Sequence, residues 1–209
     1  VAQVTKRGDT FVFDRVTGKP VWPIVERPAD TTSDVPGEKV YPTQPFPTKP
    51  PPFSPQGVLL EDANNLTPEI KALAEAQIKE RRFGPIFTPP SLAGTWQRPT
   101  ASGGANWGGA AFDPESGYLY VRANNGTTLA RVGKNDGTDP LVDVAYSSTF
   151  GRGAGDGAQS GLRGLPIVSP PYAVLVAIDL NRGDIAWKSP LGEGLPSIRN
   201  HPLLKGVAL

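Results

Sequence analysis

Three segments of the chain alternate apolar and polar positions around the same turn. They align without gaps as Val12-Phe13-Asp14-Arg15-Val16-Thr17-Gly18-Lys19-Pro20-Val21-Trp22, Ala111-Phe112-Asp113-Pro114-Glu115-Ser116-Gly117-Tyr118-Leu119-Tyr120-Val121 and Ala177-Ile178-Asp179-Leu180-Asn181-Arg182-Gly183-Asp184-Ile185-Ala186-Trp187. The shared pattern is a small or apolar residue, any residue, Asp, three residues, Gly, three residues, then Trp or Val. Alternation on both sides predicts antiparallel hairpins with one buried face. The Asp ends one strand and caps the turn through its carboxylate, and the Gly supplies positive φ at the turn's exit. The terminal Trp of two copies sets a large flat side chain at a fixed point on the second strand. Hairpins repeated with an aromatic at a constant offset point to radially stacked blades.

The aspartates are unevenly spaced, at intervals longer than the roughly 40–50 residues of a compact blade, so the excess lies in insertions. From Pro23 to Gly57 the chain is proline-rich, which predicts an extended, polyproline-like excursion pinned by aromatics rather than a strand or helix. Thr67-Pro68-Glu69 offers an N-cap, a proline at the first helical position and an early carboxylate. Ile70, Leu73, Ala74 and Ile78 follow at helical spacing, giving one short amphipathic helix that ends near Arg82-Phe83-Gly84. Gly151 to Gly157 reads as a flexible loop, since no strand leads into it and no helix follows as a phosphate cradle requires.

Composition narrows the choice. With 24 glycines and 24 prolines in 209 residues, nearly every long helix would be broken, which excludes a helical bundle or coiled coil. No apolar run approaches the roughly 18 residues of a membrane span. Lys+Arg 21 against Asp+Glu 20 leaves no basic field for nucleic acid. The chain has no cysteine, hence no disulfide or thiolate chemistry, and its one histidine, His201, makes a histidine-rich metal site or a Ser-His-Asp triad improbable. It also lacks methionine, opens on Val1 and stops in the apolar run Gly206-Val207-Ala208-Leu209, so an internal piece of a longer polypeptide is expected.

The small-x-Asp-x-x-x-Gly-x-x-x-Trp segment resembles the tryptophan-docking motif of the dehydrogenases that depend on pyrroloquinoline quinone (PQQ), eight-bladed propeller alcohol and sugar oxidases of the bacterial periplasm. Thr5 to Arg15 resembles the family strand that carries a cationic residue to the quinone. Tyr41-Pro42-Thr43-Gln44-Pro45-Phe46 and Phe87-Thr88-Pro89-Pro90-Ser91 resemble the membrane glucose dehydrogenase branch. Gly103-Gly104-Ala105-Asn106-Trp107-Gly108-Gly109 resembles the loop where an Asn-Trp pair meets the cofactor.

The resemblance implies an all-β fold, part of an eight-bladed β-propeller with about three blades in this chain. Residues 1–209 would form part of a single propeller domain, with an insertion near 23–100 that holds the proline-rich loop and a helix near 68–82. It implies Lys6, Asn106 and Trp107 as cofactor-binding residues. Lys6 would stabilise negative charge on the quinone oxygens, Asn106 would hydrogen-bond a quinone or carboxylate oxygen, and Trp107 would offer a ring edge and an N–H donor. Trp22 and Trp187 would dock between blades, while Trp96 could sit under the site's rim or pack a loop. The catalytic aspartate and the ligands of a divalent metal, commonly calcium, are expected outside this chain. Asp14, Asp113 and Asp179 are set aside because each occupies a turn of the repeat.

The partners implied are the remainder of the propeller, a small alcohol or aldose substrate, and ubiquinone or a cytochrome as electron acceptor. The location implied is the periplasm, with attachment to the inner membrane through other parts. A non-catalytic propeller scaffold that keeps the docking repeats without cofactor is the alternative, and a sugar-binding module is a third reading.

Overall fold

A computed structural model describes residues 1–137, 143–148, 162 and 164–207. The glycine-rich stretch 151–157 and the last two residues lie outside the described part. In chain order the strands are β1 (Ala2–Val4), β2 (Thr10–Val12), β3 (Ile24–Pro28), β4 (Thr43–Pro47) and β5 (Gly57–Val58). Helix α1 (Pro68–Lys79) precedes β6 (Gly84–Pro85), β7 (Thr95–Gln97), β8 (Ala110–Asp113) and β9 (Tyr118–Asn124). Then come β10 (Thr128–Ala130), β11 (Val132–Lys134), β12 (Tyr146–Ser148), β13 (Ala173–Asp179), β14 (Asp184–Pro190) and the single-turn α2 (Pro196–Arg199).

The three repeat turns have one construction. In each, the glycine N–H donates to the aspartate carbonyl, at 2.9 Å for Gly18 and Asp14, 2.9 Å for Gly117 and Asp113, and 2.8 Å for Gly183 and Asp179. Each carboxylate accepts from the backbone two residues on, from Val16, Glu115 and Asn181. The glycines take φ of +70°, +75° and +69°, where a side chain is disfavoured.

The strand pairing does not give each repeat a sheet of its own. β8, β9, β13 and β14 form one four-stranded antiparallel sheet in the order β14-β13-β9-β8. The second and third repeats are therefore the two hairpins of a single sheet, with the chain between β9 and β13 inserted at its middle. The first repeat extends the β1–β2 ribbon, through a bridge between Phe13 and Pro20. Among the described residues the sheets do not close into a ring.

Strand alternation sets the main core. Leu119, Val121 and Ala123 of β9 and Val174, Val176 and Ile178 of β13 point to one face, where they pack with Val4, Phe53 and Ala105. On the other face Ala177 pairs with both Tyr120 and Trp187, and its small side chain lets their rings approach to 6.0 Å. The first and third repeats meet directly, because the Trp22 ring lies on Gly183. Trp187 remains 41% exposed.

The insertion builds a second core. Thr67 caps α1 by accepting from Ile70 N at 3.1 Å, and Ile70, Ala74 and Ile78 bury against Trp96, Leu165, Ile167 and Val168. Leu73 falls off that face and stays exposed. The helix stops at Lys79 with Glu80 as its cap, short of the Arg82-Phe83-Gly84 end expected.

The proline-rich stretch is also corrected, because β3 and β4 pair as an antiparallel ribbon. Thr48 N donates to Pro23 O and Ala29 N to Pro42 O, so the bonded pairs fall at 25/46 and 27/44 between them. Pro28, Pro45 and Pro47 all occupy the intervening non-bonded pairs, where a missing N–H removes no ladder bond. Proline content argues against a strand only when this register is unknown.

Candidate functional site

The segment Thr5 to Asp9 makes a tight turn between β1 and β2, and Lys6 sits in it, exposed, rather than on a strand. Thr5 N donates to Asp9 O at 2.9 Å, and Asp9 N donates to Thr5 Oγ1 at 3.1 Å. Gly8 has φ +91° and lies against Ser54, where an added Cβ would meet the Ser54 Cβ at 2.8 Å. No other residue type fits there without displacement. Gln56 spans the turn, its amide donating to Arg7 O at 3.1 Å and to Asp9 Oδ1 at 2.9 Å.

The turn packs on the loop before β8. Gly104 N donates to Lys6 O at 2.8 Å, and Gly104 O accepts from Asn124 N of β9 at 2.9 Å. At Gly103, with φ +92°, a Cβ would meet Lys6 Cγ at 2.6 Å and Lys6 Cα at 3.0 Å. The Lys6 stem thus lies across Gly103, and because the Asn106 amide would stand nearer still, at 2.1 Å, the glycine makes room for both. Ala105 anchors the loop in the main core.

Asn106 and Trp107 follow. In the orientation that satisfies both ends of its amide, Asn106 donates to Ser102 O at 3.1 Å and accepts from Trp107 Nε1 at 3.2 Å. Each end of the Asn106 amide keeps one further hydrogen-bonding site toward a ligand, while the single Trp107 N–H is engaged. What Trp107 presents outward is its ring, 86% exposed. Beside it Gly108 and Gly109 have open space where a Cβ would be. The fold brings Lys6 and the Asn106–Trp107 loop together.

Lys6 and Arg7 also border a cleft of about 370 Å³, with Gln44, Phe87, Trp96 and Thr100 among its other lining residues. Two of its walls come from the insertion. Trp96 is 3% exposed, so it belongs to the α1 core and also backs the cleft. Arg98 is buried at the cleft's edge, with Nε donating to Asn125 O at 2.8 Å and Nη1 paired to Asp62 at 3.1 Å. Burial pulls the Arg98 guanidinium below its ordinary pKa, and the Asp62 carboxylate opposes that shift.

Arg7 has no role assigned from the sequence, yet it is the most heavily engaged side chain here. It pairs with the buried Asp9 and donates to Pro45 O, and its guanidinium carbon stands 5.2, 4.9 and 5.1 Å from the ring centroids of Phe11, Phe46 and Phe87. Burial raises the Asp9 carboxyl above its usual range, while Arg7 and Gln56 pull it back. The Lys-Arg pair is visible in the sequence, but of its aromatic neighbours Phe11 alone is close along the chain, and Phe46 and Phe87 come from distant segments. Among the described residues no group of three or more His, Cys, Asp or Glu side chains is placed to hold a metal ion.

Residues 1–207 match the family model for the β-propeller domain of PQQ glucose/ethanol/alcohol dehydrogenases. The chain is 31% identical over 208 residues to the glycerol dehydrogenase large subunit of Gluconobacter oxydans (strain 621H), covering 90% of the chain and 28% of that protein. It is 30% identical over 209 residues to the quinate/shikimate dehydrogenase (quinone) of Acinetobacter baylyi, covering 90% and 25% respectively. Against quinoprotein glucose dehydrogenase A of Acinetobacter calcoaceticus it is 27% identical over 224 residues, covering 97% and 27%. The chain thus spans about a quarter of the length of these relatives. No solved structure matches it significantly.

Proposed function

The chain belongs to the β-propeller family of PQQ-dependent glucose, ethanol and alcohol dehydrogenases, and on that premise we propose that it forms part of the cofactor-facing wall of a quinoprotein dehydrogenase acting on an alcohol or aldose sugar. The observation that carries this reading is the Lys6 stem lying across Gly103, in the same loop as the exposed Trp107 ring. The donor set suits a flat, tricarboxylated quinone. An exposed lysine, an indole open to contact and bare glycine backbone at Gly108 and Gly109 are carried by one turn and the loop packed on it.

Lys6 and the Trp107 loop would hold PQQ, which when bound would supply a two-electron acceptor for oxidation of the substrate's hydroxyl-bearing carbon. Lys6 would hold positive charge beside the quinone oxygens, where it would favour the transition state over the ground state. Trp107 would give the cofactor a rigid surface, and Asn106 fixes the indole through Nε1 and keeps one N–H and one lone pair for a quinone or carboxylate oxygen. The glycines let backbone approach. The cleft beside Lys6 lies within the ~300–1,000 Å³ range of small-molecule sites and is the place for the substrate.

The carboxylates of the three repeat turns are occupied by their own backbones, so the general base is supplied by another part of the propeller. A divalent ion, commonly calcium in this family, is held there too. That remainder belongs to the same protein or to a partner chain, it works in the periplasm, and electrons leave to ubiquinone or a cytochrome. The test is dye reduction by the complete enzyme with PQQ and calcium, using glucose, ethanol and glycerol in turn. Reduction lowered about 100-fold or more by Lys6→Ala supports the reading. No reduction with any alcohol or aldose, and no PQQ bound, would favour a propeller scaffold that keeps the repeats without the cofactor.

A further inference from the structure

A lysine ammonium on a flexible four-carbon stem acts as a preorganised charge only when its backbone and stem are held. On one side Lys6 is held by the loop, through Gly104 N and the surface of Gly103. On the other side the turn is closed by its own hydrogen bonds and by Gln56, and its side-chain link to β4 and Phe87 passes through its neighbour. Arg7 reaches Asp9 within the turn, Pro45 O on β4, and the rings of Phe11 on β2, Phe46 on β4 and Phe87 beyond β6. Phe46 and Phe87 meet edge to face at 5.7 Å, and Phe87 is, among the described residues, the non-glycine residue found at positive φ, +70°. A residue held there needs surrounding structure to fix it. Only a planar guanidinium can fork to two acceptors and face several rings at once.

We infer that Arg7 is a positioning residue for Lys6: caged by three phenylalanines and paired to Asp9, it ties the Lys6 turn to the insertion and fixes the direction of the ammonium. This rests on the reading of Lys6 as the cation beside the quinone. The arrangement makes the insertion part of the site's machinery, because two of the three rings and the Pro45 carbonyl come from it.

The test uses the complete enzyme as wild type, Lys6→Ala, Arg7→Gln, Arg7→Lys and the double variant Lys6→Ala/Arg7→Gln. Bound PQQ is quantified separately from turnover, and its absorption spectrum is recorded. In Arg7→Gln, kcat per bound PQQ falls about 10-fold or more, a part of the ~100-fold expected for losing the cation itself. KM for substrate stays within about 3-fold, and the quinone absorption moves toward that of Lys6→Ala. Arg7→Lys recovers part of the rate. The double variant is no slower than Lys6→Ala by more than about 2-fold, since Arg7 acts through Lys6.

Losses that multiply in the double variant, or an Arg7→Gln enzyme with wild-type kcat and spectrum, overturn the inference. If Arg7→Gln does not fold, Arg7→Gln/Asp9→Asn removes both charges together and is read in the same way. Failure of the wild type to bind PQQ overturns the functional reading and this inference with it. Wild-type binding with an indifferent Arg7→Gln overturns this inference alone.

Discussion

The indole of Trp22 rests on the backbone of Gly183, so closely that a Cβ on the glycine would meet the ring's Cζ2 at 2.6 Å. The contact joins the first repeat to the third, and Lys49 reinforces it by donating to Arg182 O at 3.1 Å. The glycine thus does two things at once: it turns the chain at φ +69° and leaves room for a ring from another hairpin.

The equivalent glycine of the first repeat does only the first of these. Gly18 has φ +70°, but a Cβ added to it would find nothing within 4 Å. Gly18→Ala should therefore cost roughly 1 kcal/mol of backbone strain. Gly183→Ala adds displacement of Trp22 and should cost about 2–4 kcal/mol in all. Denaturant midpoints of the two variants measure the difference, and equal losses would mean that the Trp22 contact contributes nothing.

Trp107 separates binding from folding. With its ring 86% exposed, Trp107→Ala should change stability by no more than about 0.5 kcal/mol. Loss of an aromatic contact of about 1 kcal/mol should weaken PQQ binding several-fold to 10-fold. Thermal melting of the apo enzyme and a fluorescence titration with PQQ read the two effects independently.

The turn aspartates give an acid dependence with a definite sign. The Thr17 N–H holds the Asp14 carboxyl below its ordinary 3.8, and the Ser116 hydroxyl does the same for Asp113. Protons bind these turns more weakly in the folded state than in the unfolded chain. Their contribution is complete above 3.8 and is lost as pH falls through the lowered folded values. Urea midpoints should hold level as pH drops toward 3.8 as far as these groups are concerned, then decline. The pair Asp14→Asn and Asp113→Asn should flatten that decline, because an amide oxygen still accepts the turn's hydrogen bonds.

The second core is tested on α1. Ile78 is completely buried, so Ile78→Ala should cost about 2–5 kcal/mol. Leu73, at 43% exposure on the same helix, should cost well under about 1 kcal/mol when replaced by Ala. Calorimetry of both variants gives the comparison, and similar losses would place Leu73 in an interface that the chain makes elsewhere.

Local signals are legible in the chain and long-range ones are not. The Asp and Gly of each turn, and the Thr67 cap of α1, act within four residues, so spacing alone specifies them. The pairing of β9 with β13 joins strands separated by a long insertion, and two hairpins that look like two blades prove to be one sheet. Leu73 matches the helical period but lies beyond the edge of the buried stripe formed by Ile70, Ala74 and Ile78. The approach of Lys6 to Gly103 is reached through resemblance, not through any pattern in the spacing. Arg7 escapes a reading of the sequence because Phe11, Phe46 and Phe87 become its neighbours only after three separate segments fold together.

The alternate placement of prolines in the β3–β4 ribbon has a colloidal consequence. In non-bonded pairs the backbone nitrogen and carbonyl face away from the partner strand, so the outer margin of β4 carries Pro45 and Pro47 where donors would otherwise stand, and Arg7 takes the Pro45 carbonyl. A foreign peptide aligning along that margin finds Thr43 as its one amide to grip. The ribbon is thereby blunted against templating and fibril growth, a safeguard written into the backbone itself and independent of surface charge.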